Sequence, residues 1–173
     1  MVSHSRIIIN TGDGKGKTTA ALGTALRAAG HGQKVAIVQF LKGKWTNGEV
    51  KALAMFPNVY LARMGNGFTW EKEDLEEDRR LAREAWDLCR KLASSGEYDL
   101  LVMDELNVAL DLGLLPVQGV VDLLVSLPRG LSVIITGRGA KQELIDLADT
   151  VTEMREIKHA FQTGARAHKG IDY

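Results

Sequence analysis

The chain has 173 residues, a length that fits one domain with a substantial buried core. Lysine plus arginine and aspartate plus glutamate number 22 each, and this zero net charge argues against a general nucleic-acid-binding protein. No apolar run approaches the roughly 20 residues of a transmembrane helix, and no signal-peptide core follows Met1. Cys89 is the single cysteine, which excludes an internal disulfide. We therefore expect a cytoplasmic protein that binds neither nucleic acid nor membrane.

The first predicted strand, residues 6–10, leads into a glycine-rich loop and then a helix-forming run. The loop reads Thr11-Gly12-Asp13-Gly14-Lys15-Gly16-Lys17-Thr18-Thr19. A strand, such a loop with Gly-Lys-Thr, and a helix form the context of a phosphate-binding P-loop. Backbone N–H groups of the loop cradle phosphate oxygens, Lys17 can reach them, and the Thr18 hydroxyl can bind Mg²⁺. Although Thr11 replaces the first glycine of the usual pattern, we expect residues 12–19 to bind a nucleotide, the alternative being a turn without a ligand.

Further apolar runs alternate with helical patterns along the rest of the chain. The runs that predict strands are residues 34–40, 58–62, 98–103, 131–136 and, as an edge strand, 150–154. Continuous rather than alternating apolar strands predict an α/β fold with a mostly parallel sheet and helices on both faces. Ligands of such sheets bind beyond the carboxyl ends of the strands. The loops at that edge are residues 11–17, 41–48, 64–70, 104–107 and 137–139.

Residues 71–93 predict one long helix between the third and fourth strands. Its first turns are acidic and its end carries Arg90 and Lys91, which suits the helix dipole. Its apolar stripe comprises Leu75, Leu81, Ala85, Leu88 and Leu92. Cys89 falls in the same helical pattern, and we expect a plain buried thiol there.

The loop Gly65-Asn66-Gly67-Phe68-Thr69-Trp70 carries two aromatic residues between glycines at the ligand edge. Aromatic side chains at such a position are normally buried or engaged with a partner. Two interpretations remain open. Phe68 and Trp70 either close the core before the long helix, which composition alone favours, or form a flat apolar surface for a large planar ligand.

Asp104 and Glu105 end the fourth strand, where P-loop proteins place an acidic residue that holds Mg²⁺ directly or through water. We expect at least one of them to bind the metal together with Thr18. Because a helical run follows, Asp104 alternatively caps a helix, and the two roles are compatible. Arg138, in the loop after the fifth strand, is an expected nucleotide-binding residue.

The segment 158–173 is basic and lacks strong periodicity, so it is either a frayed tail or a flap over an anionic ligand. No nucleophile constellation or protein-kinase motif is present. If a reaction occurs, we expect the attacking group to arrive with a second substrate.

Six segments in order resemble the P-loop type of ATP:corrinoid adenosyltransferase. They are the loop 11–19, Val38-Gln39-Phe40-Leu41-Lys42-Gly43, Gly67-Phe68-Thr69-Trp70-Glu71, Asp104-Glu105-Leu106, Ile134-Ile135-Thr136-Gly137-Arg138-Gly139, and the tail from Lys158-His159-Ala160-Phe161 to Lys169-Gly170-Ile171-Asp172-Tyr173. The resemblance runs from about Arg6 to Tyr173. The P-loop alone is unspecific, whereas the Phe-Thr-Trp loop and the closing tail in the same order make the resemblance specific.

The resemblance implies a single P-loop NTPase-like domain over residues 1–173 that transfers the 5′-deoxyadenosyl group of ATP to the Co(I) of a corrinoid and releases triphosphate. It implies Mg²⁺ (or Mn²⁺) bound by Thr18 and Glu105 with Asp104, and charge neutralisation by Lys17. It assigns Phe68 and Trp70 to removal of the lower axial cobalt ligand, which makes reduction to Co(I) feasible. It also implies ATP bound in the reverse of the usual P-loop direction.

The same resemblance implies a homodimer and a reductase, such as a flavoprotein, that supplies electrons. Characterised relatives can carry a longer N-terminal segment over the site, so we expect the tail 158–173 to cover more of it here. Two other function classes remain open from the residues alone. One is an ordinary P-loop small-molecule kinase or NTPase, and the other is a nucleotide switch or corrinoid carrier without catalysis.

Overall fold

The computed structural model describes residues 5–43, 48–65 and 75–172. Its centre is one sheet of six parallel strands. These are β1 (Ile7–Thr11), β2 (Val35–Gln39), β3 (Val59–Arg63), β4 (Leu100–Asp104), β5 (Ser132–Thr136) and β6 (Thr150–Glu153). Their spatial order is β3-β2-β4-β5-β1-β6, with every neighbouring pair parallel. The predicted parallel sheet and the predicted edge strand at residues 150–154 are confirmed.

Helices cover both faces of this sheet, as predicted. They are α1 (Lys17–Gly30), α2 (Gly48–Leu53), α3 (Glu76–Ser94), α4 (Leu106–Asp111), α5 (Val117–Val125) and α6 (Gln142–Ile145), followed by a short 3-10 helix (Ala160–Thr163). On one face, α1 and α2 pack through small and aliphatic residues such as Ala21, Ala25 and Leu53. On the other face, α3, α4 and α5 enclose the larger core around Phe40 and Met103.

The burial of the strands explains their composition. Every residue of β2 and β4 is buried, whereas every residue of the edge strand β6 is exposed. A central parallel strand contacts helices on both faces, and a continuous apolar run satisfies both contacts. This is why the strands read as unbroken apolar runs in the sequence.

The helix α3 begins at Glu76 among the described residues, and residues 71–74 of the predicted helix lie outside them. Its core-facing side includes the predicted Ala85, Leu75, Leu88 and Leu92, but small residues form its centre. Its fully buried apolar residues are Ala82, Ala85, Cys89 and Ala93, while Leu81, Leu88 and Leu92 are half-buried at the sides. Small residues on the central line let the helix lie close to the sheet, and the leucines then fill the flanks. Cys89 is buried as expected, and this burial raises the pKa of its thiol.

The register brings the carboxyl ends of the strands to one level. Gln39 of β2 lies beside Asp104 of β4, and Asn10 of β1 lies beside Thr136 of β5. The loops that follow these residues therefore meet along a single edge of the sheet. None of the helices within the described residues is both long and apolar enough to cross a membrane.

Candidate active site

The P-loop connects β1 to α1 and lies against the chain that follows β6. Gly14 N donates a hydrogen bond of 2.6 Å to Met154 O, and Met154 N donates one of 2.8 Å to Thr11 O. A Cβ atom on Gly14 would lie 2.7 Å from the Arg155 carbonyl carbon, and one on Gly12 would lie 2.5 Å from Met154 O. Because backbone cannot yield at such distances, both positions require glycine. The contact with Met154 was not predicted from the sequence.

Lys17 is the first residue of α1, and its side chain folds back over the loop. It is 8 % exposed, and Nζ donates hydrogen bonds to the carbonyl oxygens of Gly12 at 2.6 Å and Gly14 at 2.7 Å. Burial lowers the pKa of Lys17, and the nearby carboxylate of Glu105 partly opposes that shift. The ammonium therefore rests inside the loop, at the position from which it can turn to a phosphate oxygen.

Asp104 forms the centre of a buried hydrogen-bond network at the end of β4. Its side chain has no exposed surface. Its Oδ1 accepts hydrogen bonds from Thr18 Oγ1 at 2.8 Å and from Thr136 Oγ1 at 2.7 Å, and its Oδ2 accepts one from Gln39 Nε2 at 2.9 Å. The carboxylate thus joins β2, β5 and the first turn of α1. This network holds the Thr18 hydroxyl in place.

The alternative role of Asp104 as a helix cap is wrong. Glu105 occupies the N-cap position of α4, and no side-chain hydrogen bond caps that helix. The Asp104 carboxylate instead faces the neighbouring strands, because three donors converge on it there. Gln39 and Thr136 were missed as site residues in the sequence. Each ends an apolar strand with a polar side chain, and this signal could have identified both.

Glu105 has an unusual backbone conformation at the mouth of the site. Its φ of 65° lies in the left-handed region, and it is the one non-glycine residue with positive φ among the described residues. Such a conformation costs about 1 kcal/mol or more for a residue with a Cβ atom. The Glu105 N–H donates to Thr136 Oγ1 at 2.9 Å, which ties this turn to the Asp104 network. Burial raises the pKa of Glu105, and the adjacent Asp104 carboxylate raises it further.

Arg138 lies in the loop after β5 and approaches the P-loop from the opposite side. Its guanidinium donates a hydrogen bond of 3.3 Å to Asp13 O and lies 3.6 Å from Asp13 Oδ1. The side chain is largely exposed, so it is free to change partners when an anion binds.

A cavity of about 870 Å³ brings these groups together at the carboxyl edge of the sheet. The predicted residues that line it are Asp13, Gly14, Lys15, Gly16, Lys17, Thr18, Thr19, Glu105 and Arg138. The predicted residues Gly12 and Asp104 do not line it. The apolar part of the lining comes from α1 and α2, with Leu22, Leu26, Ala52 and Leu53, and Val108 and Asp111 of α4 contribute another part. A cavity of this size with a cationic floor and an apolar wall suits a nucleotide.

The tail also reaches the cavity. Gly170, Ile171 and Asp172 contribute to its lining, and the Asp172 carboxylate accepts a hydrogen bond from Lys15 Nζ of the P-loop. This contact lowers the pKa of Asp172. Phe68 and Trp70 lie outside the described residues, so their placement relative to the cavity is not described.

Residues 3–173 match the family model described as ATP:corrinoid adenosyltransferase BtuR/CobO/CobP. The chain belongs to the ATP:corrinoid adenosyltransferase family. It is 46 % identical over 167 residues to the corrinoid adenosyltransferases of Escherichia coli (strain K12) and Salmonella typhimurium, a match that covers 96 % of this chain and 85 % of each relative. It is 42 % identical over 168 residues to that of Pseudomonas aeruginosa, covering 96 % of this chain and 83 % of the relative.

Solved structures place the adenosyltransferase chain in the P-loop NTPase-like fold class. A KaiC-like protein of Pyrococcus horikoshii has a TM-score of 0.51 at 14 % identity, over 90 % of this chain and 74 % of that one. The ATPase EssC of Geobacillus thermodenitrificans has a TM-score of 0.51 at 16 % identity, over 97 % of this chain and 35 % of that one. At such identities the likeness concerns the fold alone, and the fold class is confirmed.

The oxygen groups at the end of β4 fit a magnesium ion. The Thr18 hydroxyl donates its hydrogen bond to Asp104, so the lone pairs of the Thr18 oxygen remain available to a cation. Glu105 lines the cavity beside it. No cluster of three or more histidine, cysteine or acidic side chains occurs in the described part of the chain. Mg²⁺ does not need one, because substrate phosphates and water complete its six oxygen ligands.

Proposed function

We propose that this adenosyltransferase chain transfers the 5′-deoxyadenosyl group of ATP to the Co(I) of a corrinoid and releases triphosphate. The observation that carries the proposal is a P-loop cavity, with Lys17, Thr18 and Glu105 facing it, in a chain that matches the family from residue 3 to residue 173. The family match favours this reaction over an ordinary kinase or NTPase activity.

In this reaction the cobalt of the corrinoid substrate supplies the electron pair of the new Co–C5′ bond. The C5′–O bond of ATP breaks, and its electron pair leaves on the triphosphate. The protein needs no nucleophile or base of its own for this exchange. Consistently, none of the described residues that line the cavity is a cysteine, histidine or serine. The chain must instead orient C5′ and neutralise the charge of the departing triphosphate.

The P-loop residues 12–19 and Arg138 are the proposed binding site of the triphosphate. Lys17 would exchange the carbonyl oxygens of Gly12 and Gly14 for phosphate oxygens. Arg138 would likewise exchange its contacts with Asp13 for contacts with phosphate oxygens. Both exchanges replace a neutral or exposed partner by an anionic phosphate oxygen, so they strengthen as negative charge accumulates on the leaving group.

Thr18 and Glu105 are the proposed direct ligands of Mg²⁺ (or Mn²⁺), and Asp104 acts on the metal through water and through Thr18. A divalent cation at this position neutralises negative charge on the triphosphate. The hydrogen bond of 2.8 Å from Thr18 to Asp104 supports this division of roles, since it directs the hydroxyl oxygen and occupies the buried carboxylate.

The proposed direction of ATP brings C5′ toward Glu105 and α4. In the usual P-loop direction, the lysine and the metal meet the β- and γ-phosphates, and the nucleoside lies far from the acidic residues. In the reversed direction that the family resemblance implies, the nucleoside lies at the acidic end of the cavity. Attack at C5′ rather than at the γ-phosphate makes the reversed direction reasonable. Phe68 and Trp70 are proposed to form the apolar surface that displaces the lower axial ligand of the corrinoid.

The tail, residues 158–173, is proposed to cover the cavity of this single-domain protein. Support comes from the ion pair between Lys15 and Asp172 and from the position of Gly170 and Ile171 at the cavity lining. A homodimer, a flavoprotein-type reductase and a cytoplasmic location complete the proposal, and they rest on the sequence alone.

Anaerobic mixing of the protein with MgATP, a chemical reductant and cob(I)alamin tests the proposed function. We expect the cobalt spectrum to shift to that of an alkylcobalamin. Lys17→Ala should slow this shift by about a hundredfold or more. Lys91→Ala removes an exposed lysine of α3 and should leave the rate unchanged. An unchanged spectrum with the wild-type protein would contradict the proposal.

A further inference from the structure

A lysine from the segment that follows β2 adds to the cationic lining of the cavity. Lys42 follows β2 by three residues and lines the cavity together with Lys17 and Arg138. Those two cations come from the P-loop and from the loop after β5. Lys42 approaches from the β2 side of Asp104, and no role follows for it from the P-loop pattern.

The backbone around Lys42 is held on both sides. Phe40 N donates a hydrogen bond of 3.0 Å to Asp104 O, which keeps the end of β2 beside the end of β4. The Arg63 guanidinium donates one of 2.5 Å to Gly43 O, which holds the residue after Lys42. The backbone on both sides of Lys42 is therefore tied to β4 and to Arg63 of β3.

The Lys42 ammonium stands near the acidic residues without a close bond to them. Its Nζ lies 4.0 Å from Asp104 Oδ2, a distance of weak ion pairing and longer than a hydrogen bond. That oxygen already accepts a hydrogen bond of 2.9 Å from Gln39 Nε2. The side chain is 27 % exposed, so it can move toward a ligand in the cavity.

We infer that Lys42 is a further binding residue for the triphosphate, donating a hydrogen bond to the phosphate nearest C5′. The inference rests on the proposed function and its direction of ATP. A divalent cation on Glu105 and Thr18 would compensate the acidic charge near Lys42 and leave its ammonium for the phosphate. In that position it would neutralise the oxygen that takes the electron pair as the C5′–O bond breaks.

Binding of inorganic triphosphate, measured by calorimetry with and without Mg²⁺, tests this inference. Lys42→Met should lower the affinity about tenfold in the presence of Mg²⁺, as expected when a charge-assisted hydrogen bond is lost. Lys42→Arg should keep the affinity within about threefold of wild type, since the charge remains. Lys51→Met, which removes an exposed lysine from the neighbouring α2, should leave it unchanged.

Three results would overturn the inference. One is wild-type affinity in Lys42→Met with a normal melting temperature. The second is a loss of affinity in that variant that occurs only without Mg²⁺, which would mean that Lys42 merely compensates the charges of Asp104 and Glu105. A loss of affinity in both Lys42→Met and Lys42→Arg would also contradict it, because charge would not be the cause. Since no corrinoid is present, failure here is distinct from failure of the adenosylation assay.

Discussion

The Thr136 hydroxyl donates a hydrogen bond of 2.7 Å to Asp104 Oδ1 and accepts one of 2.9 Å from the Glu105 N–H. One side chain of β5 thereby positions both acidic residues at the end of β4. It also supports the left-handed turn at Glu105, whose carboxylate lines the cavity. The proposed metal site therefore depends on a residue that does not itself contact the metal.

Thr136→Val should destabilise the protein and weaken the dependence of ATP binding on Mg²⁺. The substitution leaves the Glu105 N–H without its acceptor and Asp104 with one donor fewer, at a cost of about 1–3 kcal/mol. Urea denaturation gives the change in the free energy of unfolding, and Mg²⁺ titration of ATP binding gives the change at the site. Thr136→Ser keeps the hydroxyl and should behave nearly as wild type. Equal stability of the valine and serine variants would show that the hydroxyl has no such role.

Gly23 of α1 offers a steric test of the direction of ATP. It lines the apolar wall, and a Cβ atom there would meet no atom within 4 Å. Because the proposed direction keeps the nucleoside at the opposite end, Gly23→Leu should change ATP affinity and adenosylation by less than about threefold. The usual P-loop direction would bring the base to this wall, and a loss of about tenfold or more would indicate it.

Gly23→Ala serves as the control for the same position. It adds a single methyl group to an exposed helix position and should stabilise the protein by about 0.5–1 kcal/mol. Gly30→Ala, at the end of the same helix and outside the cavity, should have a similar effect on stability alone. A destabilised Gly23→Ala variant would indicate that this face of α1 is not open.

Asp172→Asn tests whether the contact of the tail with Lys15 competes with phosphate binding. The Asp172 carboxylate takes a hydrogen bond from Lys15 and so competes with phosphate oxygens for that ammonium. Removing its charge should raise the affinity for inorganic triphosphate about two- to fivefold, the size expected for an exposed ion pair. Competition binding against a fluorescent ATP analogue measures this change.

The matched control is Asp87→Asn, which removes one negative charge from an exposed ion pair with Arg90 on α3. It should leave triphosphate affinity unchanged. If both variants raise the affinity equally, the effect comes from net charge and not from the tail. Unchanged affinity in Asp172→Asn would argue against competition at Lys15.

Trp70→Ala should separate nucleotide binding from corrinoid chemistry. If Trp70 removes the lower axial ligand, its loss leaves ATP affinity intact and cripples turnover that starts from Co(II) corrinoid. Turnover that starts from preformed cob(I)alamin should suffer much less. Isothermal titration with ATP and anaerobic assays from both cobalt states provide the comparison. If the Trp70→Ala variant turns over Co(II) corrinoid at the wild-type rate, Trp70 does not remove the lower axial ligand.

The sheet could be predicted because buried parallel strands have a continuous apolar composition. Residues 34–40 and 98–103 read as continuous apolar runs, and the structure buries all of β2 and β4. The P-loop was recognisable because phosphate binding requires glycines, a lysine and a hydroxyl at fixed spacing. The acidic end of β4 was recognisable because P-loop proteins place an acidic residue that holds Mg²⁺ at that position.

The partners across strands could not be predicted, since they depend on strand order. The strand order β3-β2-β4-β5-β1-β6 brings Gln39 and Thr136 to Asp104 and Met154 to Gly14. The apolar stripe of α3 was predicted on the correct side of the helix, but not its centre. Periodicity identified one face, but the close approach to the sheet selected alanine and cysteine for its centre.

A single-turnover experiment with ATP labelled at the γ-phosphate tests the central claim most directly. The protein, labelled MgATP and cob(I)alamin are mixed without oxygen, and the phosphate products are separated after the spectral change. Adenosyl transfer predicts that the label appears in triphosphate, one equivalent for each alkylcobalamin formed. Label in orthophosphate or in a phosphorylated corrinoid, with ADP as the nucleotide product, would contradict the account and indicate ordinary P-loop chemistry.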